Sequence, residues 1–295
     1  MKGWGIRAAL LLALLALGFA ADAADQERLL RMSEMSMLVK GTIDMRPDGS
    51  VESYALDDSG KLSPAVAGMV GMQVSQWRFE PTLVDGKPVR ARTKMQLRIV
   101  AKPADTQNFD VHIQSAYFWG DSEGEDERIS VRKKTSRGPM VSALMSTGLD
   151  AADLYLALKI GPDGKVEDAI VEQVNLPTLY SDGDMARLRR LLSQPTLKVV
   201  RQWTFNVPTK GERAGQPYWS GFLPVTFRLS DQNGSPAEAG YGEWRAYIPG
   251  PCTPIPWRTL DKGGDNSHCG NDAAPEGVLS LDNSGPKLLT PLMQG

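Results

Sequence analysis

The same series of sequence features occurs twice along the chain, and this internal repeat constrains the fold more than any other feature. Each copy places a Pro-Asp-Gly turn between two extended apolar patterns, at residues 47–49 and again at residues 162–164. Proline presets φ for the first turn position, and glycine takes the left-handed conformation that a bulged hairpin loop requires. A helical pattern then leads to a Trp-x-Phe signature at residues 77–79 and 203–205. The repeat therefore predicts two structural units of the same design.

The helical patterns of the two copies begin and end differently. In the first copy, Ser63 and Pro64 form a suitable N-cap and first-turn pair. In the second copy the pattern starts near Asp184, and the pair Gln194-Pro195 predicts an interruption, because proline removes a backbone donor. A final strand closes each copy. Apolar and polar side chains alternate at residues 89–99, which predicts a half-buried strand with one wet face.

The segments outside the two copies have a different composition. Between them, residues 102–145 carry an acidic cluster at 121–127 and a basic run at 132–134, which is typical of a solvated charged linker. Within this linker, residues 110–118 have the pattern of a short strand that would join the first sheet. After the second copy the chain is rich in Gly, Pro, Asn and Asp, so we predict an irregular extension at residues 231–295.

The N-terminus has the layout of an export signal. Lys2 and Arg7 give a positively charged start, and an apolar run follows at residues 8–19. Small residues then occupy positions 21 and 23. This order predicts a secretory signal peptide at residues 1–23 and a periplasmic mature protein. A retained inner-membrane anchor is the alternative, but an anchor needs about 20 apolar residues to cross the hydrocarbon core.

The two cysteines, Cys252 and Cys269, lie close together in the C-terminal extension. In an oxidising compartment such a pair predicts one disulfide bond. A metal site of Cys252, His268 and Cys269 is the alternative, and it lacks a fourth ligand at a usable spacing. Trp244 and Trp257 are further candidates for holding the extension against the folded modules.

The sequence offers little for catalysis or for a cofactor. It contains two histidines, His112 and His268, and neither lies near a nucleophile motif such as G-x-S-x-G. No G-x-G-x-x-G or phosphate-loop pattern occurs. The formal net charge of -2 gives no general attraction to nucleic acid. We therefore expect a protein that is not an enzyme, with no cofactor, no bound metal and no nucleic-acid partner.

Taken together, the features between residues 41 and 98 resemble the C-terminal domain of TonB. That family has a glycine-turn hairpin, a Ser-Gly pair before the helix, W-x-F-x-P after it and G-x-P-V before the last strand, and the first copy matches all four. The second copy keeps most of them but lacks the Ser-Gly pair and has an extra residue before Pro208. The residues that carry the resemblance are Gly49, Trp77, Phe79, Pro81, Gly86, Pro88, Gly164, Trp203, Phe205, Gly215 and Pro217.

The resemblance implies an α+β fold built from two small antiparallel β-sheet modules, each with a helix packed on one face. We place the modules at residues 24–101 and 146–230, followed by the irregular, disulfide-bearing tail. The aromatic residues of the Trp-x-Phe signatures are expected to pack each helix end onto its sheet. The membrane anchor and Pro-rich spacer of the energy transducers in this family do not appear, nor does the Tyr-Pro segment before the hairpin.

In the family, the domain binds a short extended segment of outer-membrane transporters, which adds as a strand to an exposed sheet edge. An edge strand has unpaired backbone groups that such a segment completes. We expect this edge at residues 89–99, with Arg90, Arg92, Lys94, Gln96 and Arg98 as the partner-binding side chains. Alternatively, these residues only protect the edge from aggregation. Pro224 predicts that the last strand of the second copy is also an edge, with its non-donating side outward.

The resemblance thus implies a periplasmic binding or adaptor protein for a protein or peptide partner of the cell envelope, such as an outer-membrane transporter. Two other functions remain open. The protein would be a structural envelope component if its sheet edges paired with each other or in a homodimer. It would be an energy transducer for outer-membrane transport if the N-terminal segment were retained as a short anchor.

Overall fold

The computed structural model describes residues 34–104, 108–120, 124–228, 241–258, 272–282 and 285–292. Within these ranges the protein is a mixed α+β structure with antiparallel sheets and few helices, as the sequence predicts at the level of α+β class and antiparallel pairing. The predicted signal peptide lies outside the described residues.

One sheet and one helix form the first half of the described chain. Its elements in order are β1 (Glu34–Met45), β2 (Val51–Leu56), a 3-10 turn (Ser59–Lys61), α1 (Pro64–Ser75), β3 (Leu83–Val84), β4 (Lys87–Pro88), β5 (Ala91–Pro103) and β6 (Phe109–Trp119). In the sheet, β1 lies between β2 and β5, and β6 adds to the far side of β5. The small hairpin of β3 and β4 stands apart from the sheet.

A second sheet and two helices follow. The elements are a 3-10 turn (Glu125–Glu127), β7 (Ser130–Lys133), α2 (Gly138–Thr147), β8 (Ala151–Ile160), β9 (Val166–Asn175), α3 (Asp182–Val200), β10 (Thr204–Asn206), β11 (Trp219–Arg228), β12 (Arg245–Tyr247) and β13 (Leu279–Ser280). The strand order is β9-β8-β11-β13, which repeats the order β2-β1-β5-β6 of the first sheet.

The two hairpin turns have the same geometry. Gly49 and Gly164 are buried and adopt positive φ values of 78° and 77°. The N–H of Phe79 donates to the carbonyl of Gly49 at 2.8 Å, and the N–H of Phe205 donates to that of Gly164 at the same distance. A Cβ on either glycine would overlap the carbonyl oxygen of the facing phenylalanine. The Pro-Asp-Gly turn and the Trp-x-Phe signature are therefore in direct contact in each module.

Each sheet carries helix on one face. Ser63 caps α1, since its hydroxyl accepts the N–H of Val66 at 3.3 Å, and α1 covers the core of the first sheet with Val66, Val70 and Val74. Helices α2 and α3 pack on the second sheet. The signature aromatics are buried as predicted: Trp77, Phe79, Trp203 and Phe205 are at most 3% exposed.

Helix α3 is continuous, so the predicted interruption at Pro195 is wrong. Proline removes the hydrogen bond to the carbonyl of Leu191, which lies on the exposed side of the helix where water can replace it. The hydroxyls of Ser193 and Thr196 donate to the carbonyls of Arg189 and Leu192, at 2.7 Å each, and satisfy neighbouring acceptors.

The faces of the two sheets that carry no helix pack against each other. Tyr117 of β6, Tyr155 of β8 and Phe222 of β11 share a small core with parts of the C-terminal extension. In its described residues the extension is not a peripheral tail: β12 adds to β1, β13 adds to β11, and Trp244 and Trp257 pack against the cores as expected.

The segment between the modules also differs from the prediction. Residues 102–145 were expected to form a charged linker, yet they contain the end of β5, all of β6 and β7, and most of α2. The short strand predicted at 110–118 is present and longer, as β6. It forms because its apolar residues complete the cores on both sides of the first sheet.

Candidate functional site

The strand predicted to be the binding edge is internal. β5 pairs with β1 from Ala91 to Ala101, and with β6 from Lys94 to Pro103. The prediction of an edge at residues 89–99 is therefore wrong, because β6 folds back and takes the outer position that a partner strand was expected to fill.

The first cations of the predicted binding surface form ion pairs within the module. Arg90 pairs with Glu52 at 3.0 Å, and Arg92 with Asp44 at 2.6 Å. The hydrogen bond from Arg92 lowers the pKa of Asp44. Lys94 is exposed on the same face of the strand. These contacts tie β5 to the β1–β2 hairpin, which fits the protective role better than a free cationic stripe.

Gln96 and Arg98 are buried, although the sequence predicts a wet face there. They are 3% and 6% exposed, because the second sheet and the C-terminal extension cover this face. The Arg98 guanidinium lies 2.9 Å from the Asp272 carboxylate and donates to Ser36 Oγ at 2.8 Å and to the Tyr155 hydroxyl at 3.4 Å.

Asp272 is the centre of this buried polar cluster. Besides Arg98, it accepts hydrogen bonds from the Tyr247 hydroxyl at 2.6 Å and from the Ser115 hydroxyl at 2.9 Å. Burial raises the pKa of Tyr155 and of Tyr247, so both phenols stay neutral. Burial opposes the charge of Arg98 and is the largest single effect, but Asp272 and the other acidic groups nearby together outweigh it, and the pKa is raised. The cluster fixes the extension between the sheets and lies in the buried interior.

Much of the second sheet's margin is also covered. Along β9, Ile248 and Leu176 exchange backbone hydrogen bonds of 2.9 and 3.1 Å, and the N–H of Thr253 donates to the Glu172 carbonyl at 2.8 Å. The C-terminal extension therefore seals this edge from residue 172 to residue 176.

The other margin of the second sheet is covered over only a short stretch. β13 pairs with β11 at Gly221 and Phe222, and Leu281 N–H donates to the Ser220 carbonyl. Residues of an antiparallel strand alternate in direction, so Ser220, Phe222 and Pro224 all direct their backbone away from β8. Pro224 thus has its missing donor on the outer side, as predicted.

The outer edge of β6 is the longest open margin in the described ranges. A hydrogen bond of 2.9 Å from Ala104 N–H to the Asn108 carbonyl continues the β5–β6 register. By alternation, Phe109, Val111 and Ile113 direct their N–H and C=O groups outward. No described strand pairs with this side of β6.

The side chains along this edge are apolar on one face and polar on the other. Phe109 is 57% and Val111 is 36% exposed, whereas Ile113, next in the same row, is buried in the core under α1. On the opposite face, His112 Nδ1 lies 3.1 Å from Asp110 Oδ2. Open backbone groups and exposed apolar side chains therefore coincide at residues 109–113. The sequence alternation at residues 110–118 predicted a strand here but not a binding site.

The remaining motif residues build turns. Gly86 and Gly215 have φ values of 72° and 74°, and both are exposed. The exposed residues Pro81, Pro88 and Pro217 lie in or next to these turns. Cys252 is exposed, and Cys269 and His268 lie outside the described residues. The disulfide between Cys252 and Cys269 therefore stays a prediction.

A shallow groove lies between α2 and α3. It has a volume of about 730 Å³ and is lined by Pro139, Gln194, Pro195, Leu197, Lys198, Arg201 and Gln202. Its polar lining consists of amides and cations, and Arg201 already pairs with Asp168 at 3.5 Å. This lining contains no carboxylate, histidine, cysteine or hydroxyl side chain.

Comparisons with known proteins gave no relatives: no family model, curated protein or solved structure matches this chain. Among the described helices, none combines the length and apolarity needed to cross a membrane. Within the same residues, histidine, cysteine and carboxylate side chains do not gather into a group suited to a metal ion.

Proposed function

We propose that the protein is a periplasmic adaptor, built from two modules of the TonB C-terminal type, that binds an extended segment of a partner protein by strand addition to the outer edge of β6. The observation that carries the proposal is the coincidence of an open strand edge with the exposed side chains of Phe109 and Val111. The predicted signal peptide is the reason for the periplasmic assignment.

The energetics of the edge favour an incoming strand. Each outward residue offers one N–H and one C=O, and each new hydrogen bond contributes about 1 kcal/mol net. Apolar side chains of the partner would cover Phe109 and Val111, at about 25 cal/mol per Å² of apolar surface removed from water. The backbone supplies affinity and the alternate side chains supply specificity.

The other outer strand of this sheet lacks these properties. β2 pairs with β1 alone among the described strands, but its exposed residues are mainly charged, polar or small, namely Glu52, Ser53 and Ala55 beside Tyr54. Natural edges avoid association with such residues. β2 is therefore a suitable reference for experiments on β6.

A structural role is the second candidate function, and the same apolar edge favours it. In this second function, β6 of one copy would pair antiparallel with β6 of another copy, and the protein would need no separate ligand. A two-fold interface of this kind uses the same patch on both subunits.

Site-specific photo-crosslinking in the cell envelope separates these functions. A photoreactive phenylalanine replaces Phe109, and the matched control replaces Tyr54, which is also aromatic, exposed and on an outer strand. We expect a discrete adduct to a partner from position 109 alone, and its loss in a Val111→Lys background. An adduct with the mass of two copies supports the structural role. No adduct from position 109, or the same adducts from both positions, rejects strand addition at β6.

A further inference from the structure

The strands of the first sheet carry a row of alternating charges that ends at the open edge of β6. Lys102 on β5 lies between two carboxylates: its Nζ is 3.1 Å from Glu34 Oε1 on β1, and its Cα pairs with that of Asp110 on β6. The signs therefore run negative, positive, negative across β1, β5 and β6. Opposite charges on neighbouring strands stabilise their pairing, whereas like charges directly opposite destabilise it. A cation on an added strand, opposite Asp110, would continue the alternation.

Asp110 is placed to meet such a side chain. Its own N–H and C=O point toward β5, since Phe109 and Val111 direct theirs outward. On an antiparallel added strand, the residue opposite Asp110 would therefore belong to a narrow, non-hydrogen-bonded pair with Cα atoms about 4.5 Å apart. The side chain of Asp110 is 41% exposed, whereas that of the neighbouring His112 is 9% exposed. Of these two polar residues, Asp110 is the one open to a partner's side chain.

Apolar side chains stand on both sides of Asp110 along the edge. Phe109 and Val111 are exposed on the face of the sheet that carries α1, in one row with the buried Ile113. A register shift between Ile113 and Ser115 then ends the regular part of this strand. The open edge thus offers an apolar, an acidic and an apolar position in succession. A complementary strand would be apolar, cationic and apolar, and this order is the same in either strand direction.

The β6 strand of a second copy does not supply this sequence. Its own residues 109–111 are Phe-Asp-Val, with an acid where the edge favours a cation. In the two-fold antiparallel register that stacks Phe109 on Val111, the two Asp110 carboxylates would face each other, and like charges directly opposite destabilise a pair. Charge complementarity therefore favours a separate partner at this edge.

We propose that the β6 edge selects an extended partner segment in which a lysine or arginine stands between two apolar residues, with the cation opposite Asp110 and the apolar residues against Phe109 and Val111. The inference rests on the strand addition proposed above and adds the chemistry of the partner to it. Backbone hydrogen bonds to the edge are the same for any partner sequence, so the discrimination lies in these three side-chain positions.

Competition between two synthetic seven-residue peptides tests this selection. The peptides differ at the central residue alone, which is lysine in one and glutamate in the other, and two isoleucines flank it. The full-length chain carries a photoreactive phenylalanine at position 109, and intact-mass measurement gives the ratio of the two adducts. We expect the lysine peptide to exceed the glutamate peptide by about threefold or more.

Three variants locate the source of the preference. Asp110→Asn should make the two adducts about equal, and Asp110→Lys should reverse the ratio, because the charge opposite the central residue is removed or inverted. Asp150→Asn is the matched control, since it removes the same charge at an exposed position outside the edge, and it should leave the ratio unchanged. Circular dichroism verifies the fold of each variant, and Asp110→Asn alone decides the test if Asp110→Lys does not fold.

The failure of this inference differs from the failure of strand addition. Equal adducts of both peptides on the unmodified edge, or a preference for lysine that Asp110→Asn leaves unchanged, overturn the charge selection and leave strand addition at β6 in place. Absence of adducts from both peptides, up to the limit of their solubility, overturns strand addition and the selection with it.

Discussion

Replacing Asp272 by alanine is the perturbation that tests the packing of the two sheets most directly. The Asp272 side chain is 1% exposed, and its carboxylate lies 2.9 Å from the guanidinium of Arg98, whose side chain is 7% exposed. Removing it leaves the guanidinium with the hydroxyls of Ser36 and Tyr155 and the carbonyl of residue 272, and takes an acceptor from the hydroxyls of Ser115 and Tyr247. Breaking a buried ion pair from one side costs about 3–5 kcal/mol.

Urea unfolding followed by circular dichroism measures this cost. With a slope of about 3 kcal/mol per M for a chain of this size, the midpoint should fall by about 1 M or more. The double variant Arg98→Met, Asp272→Ala removes the uncompensated charge as well, so it should recover at least about half of the loss. A midpoint shift worth less than about 1 kcal/mol in Asp272→Ala, or no recovery in the double variant, would refute the assignment of the cluster as the connection between the sheets.

Other predictions address the local structure. Gly164→Ala should lower the free energy of unfolding by more than about 2 kcal/mol, because φ is 77° and the methyl group would overlap a carbonyl; Gly183→Ala, in an open helical position, should be neutral or gain up to about 1 kcal/mol in the same titration. Ser63→Ala should cost about 1 kcal/mol through loss of the helix cap, and unchanged stability there would contradict the capping role. Tyr155 and Tyr247 have folded-state pKa values raised by burial, so the stability they contribute is present below about pH 10 and is lost as pH rises further, since only the unfolded state ionises readily. Urea midpoints from pH 8 to 11 should therefore fall at the alkaline end, and less steeply in the Tyr→Phe variants.

The parts of the fold that the sequence predicts well depend on local chemistry. The Pro-Asp-Gly turns need glycine at Gly49 and Gly164 because φ is positive, and that requirement is legible in the sequence without knowledge of any partner. The N-cap at Ser63 and the burial of Trp77 and Trp203 follow from equally local patterns. Element types near these signatures therefore follow from the sequence alone.

The wrong predictions about β5 share a physical cause, which is contact with segments that lie outside the repeated unit. The polar positions of β5 have the alternation of a wet face, and nothing near Arg98 in sequence indicates that Asp272 will bury it. The outer position on β5 is filled by β6, whose alternation was recognised but whose effect on the edge was not. Periodicity reports that one face of a strand is polar, and it does not report whether that face meets water or another polar layer.

Strand addition within the chain explains why few of the described sheet edges remain open. The last strand of the first repeated unit, β5, is covered by β6, and its counterpart β11 is covered in part by β13. The Trp-x-Phe segment of the first module is covered by residues 287–289, and that of the second module by β7. Each addition satisfies backbone groups that would otherwise attract another chain. The addition of β6 also moves the open edge of the first module outward by one strand. The edge strand is then β6 and not the charged β5. If this edge only had to avoid association, charged residues on β6 would protect it, as the charged residues on β5 would protect theirs. The exposed Phe109 and Val111 instead favour association at this edge, which is why the test of function belongs there.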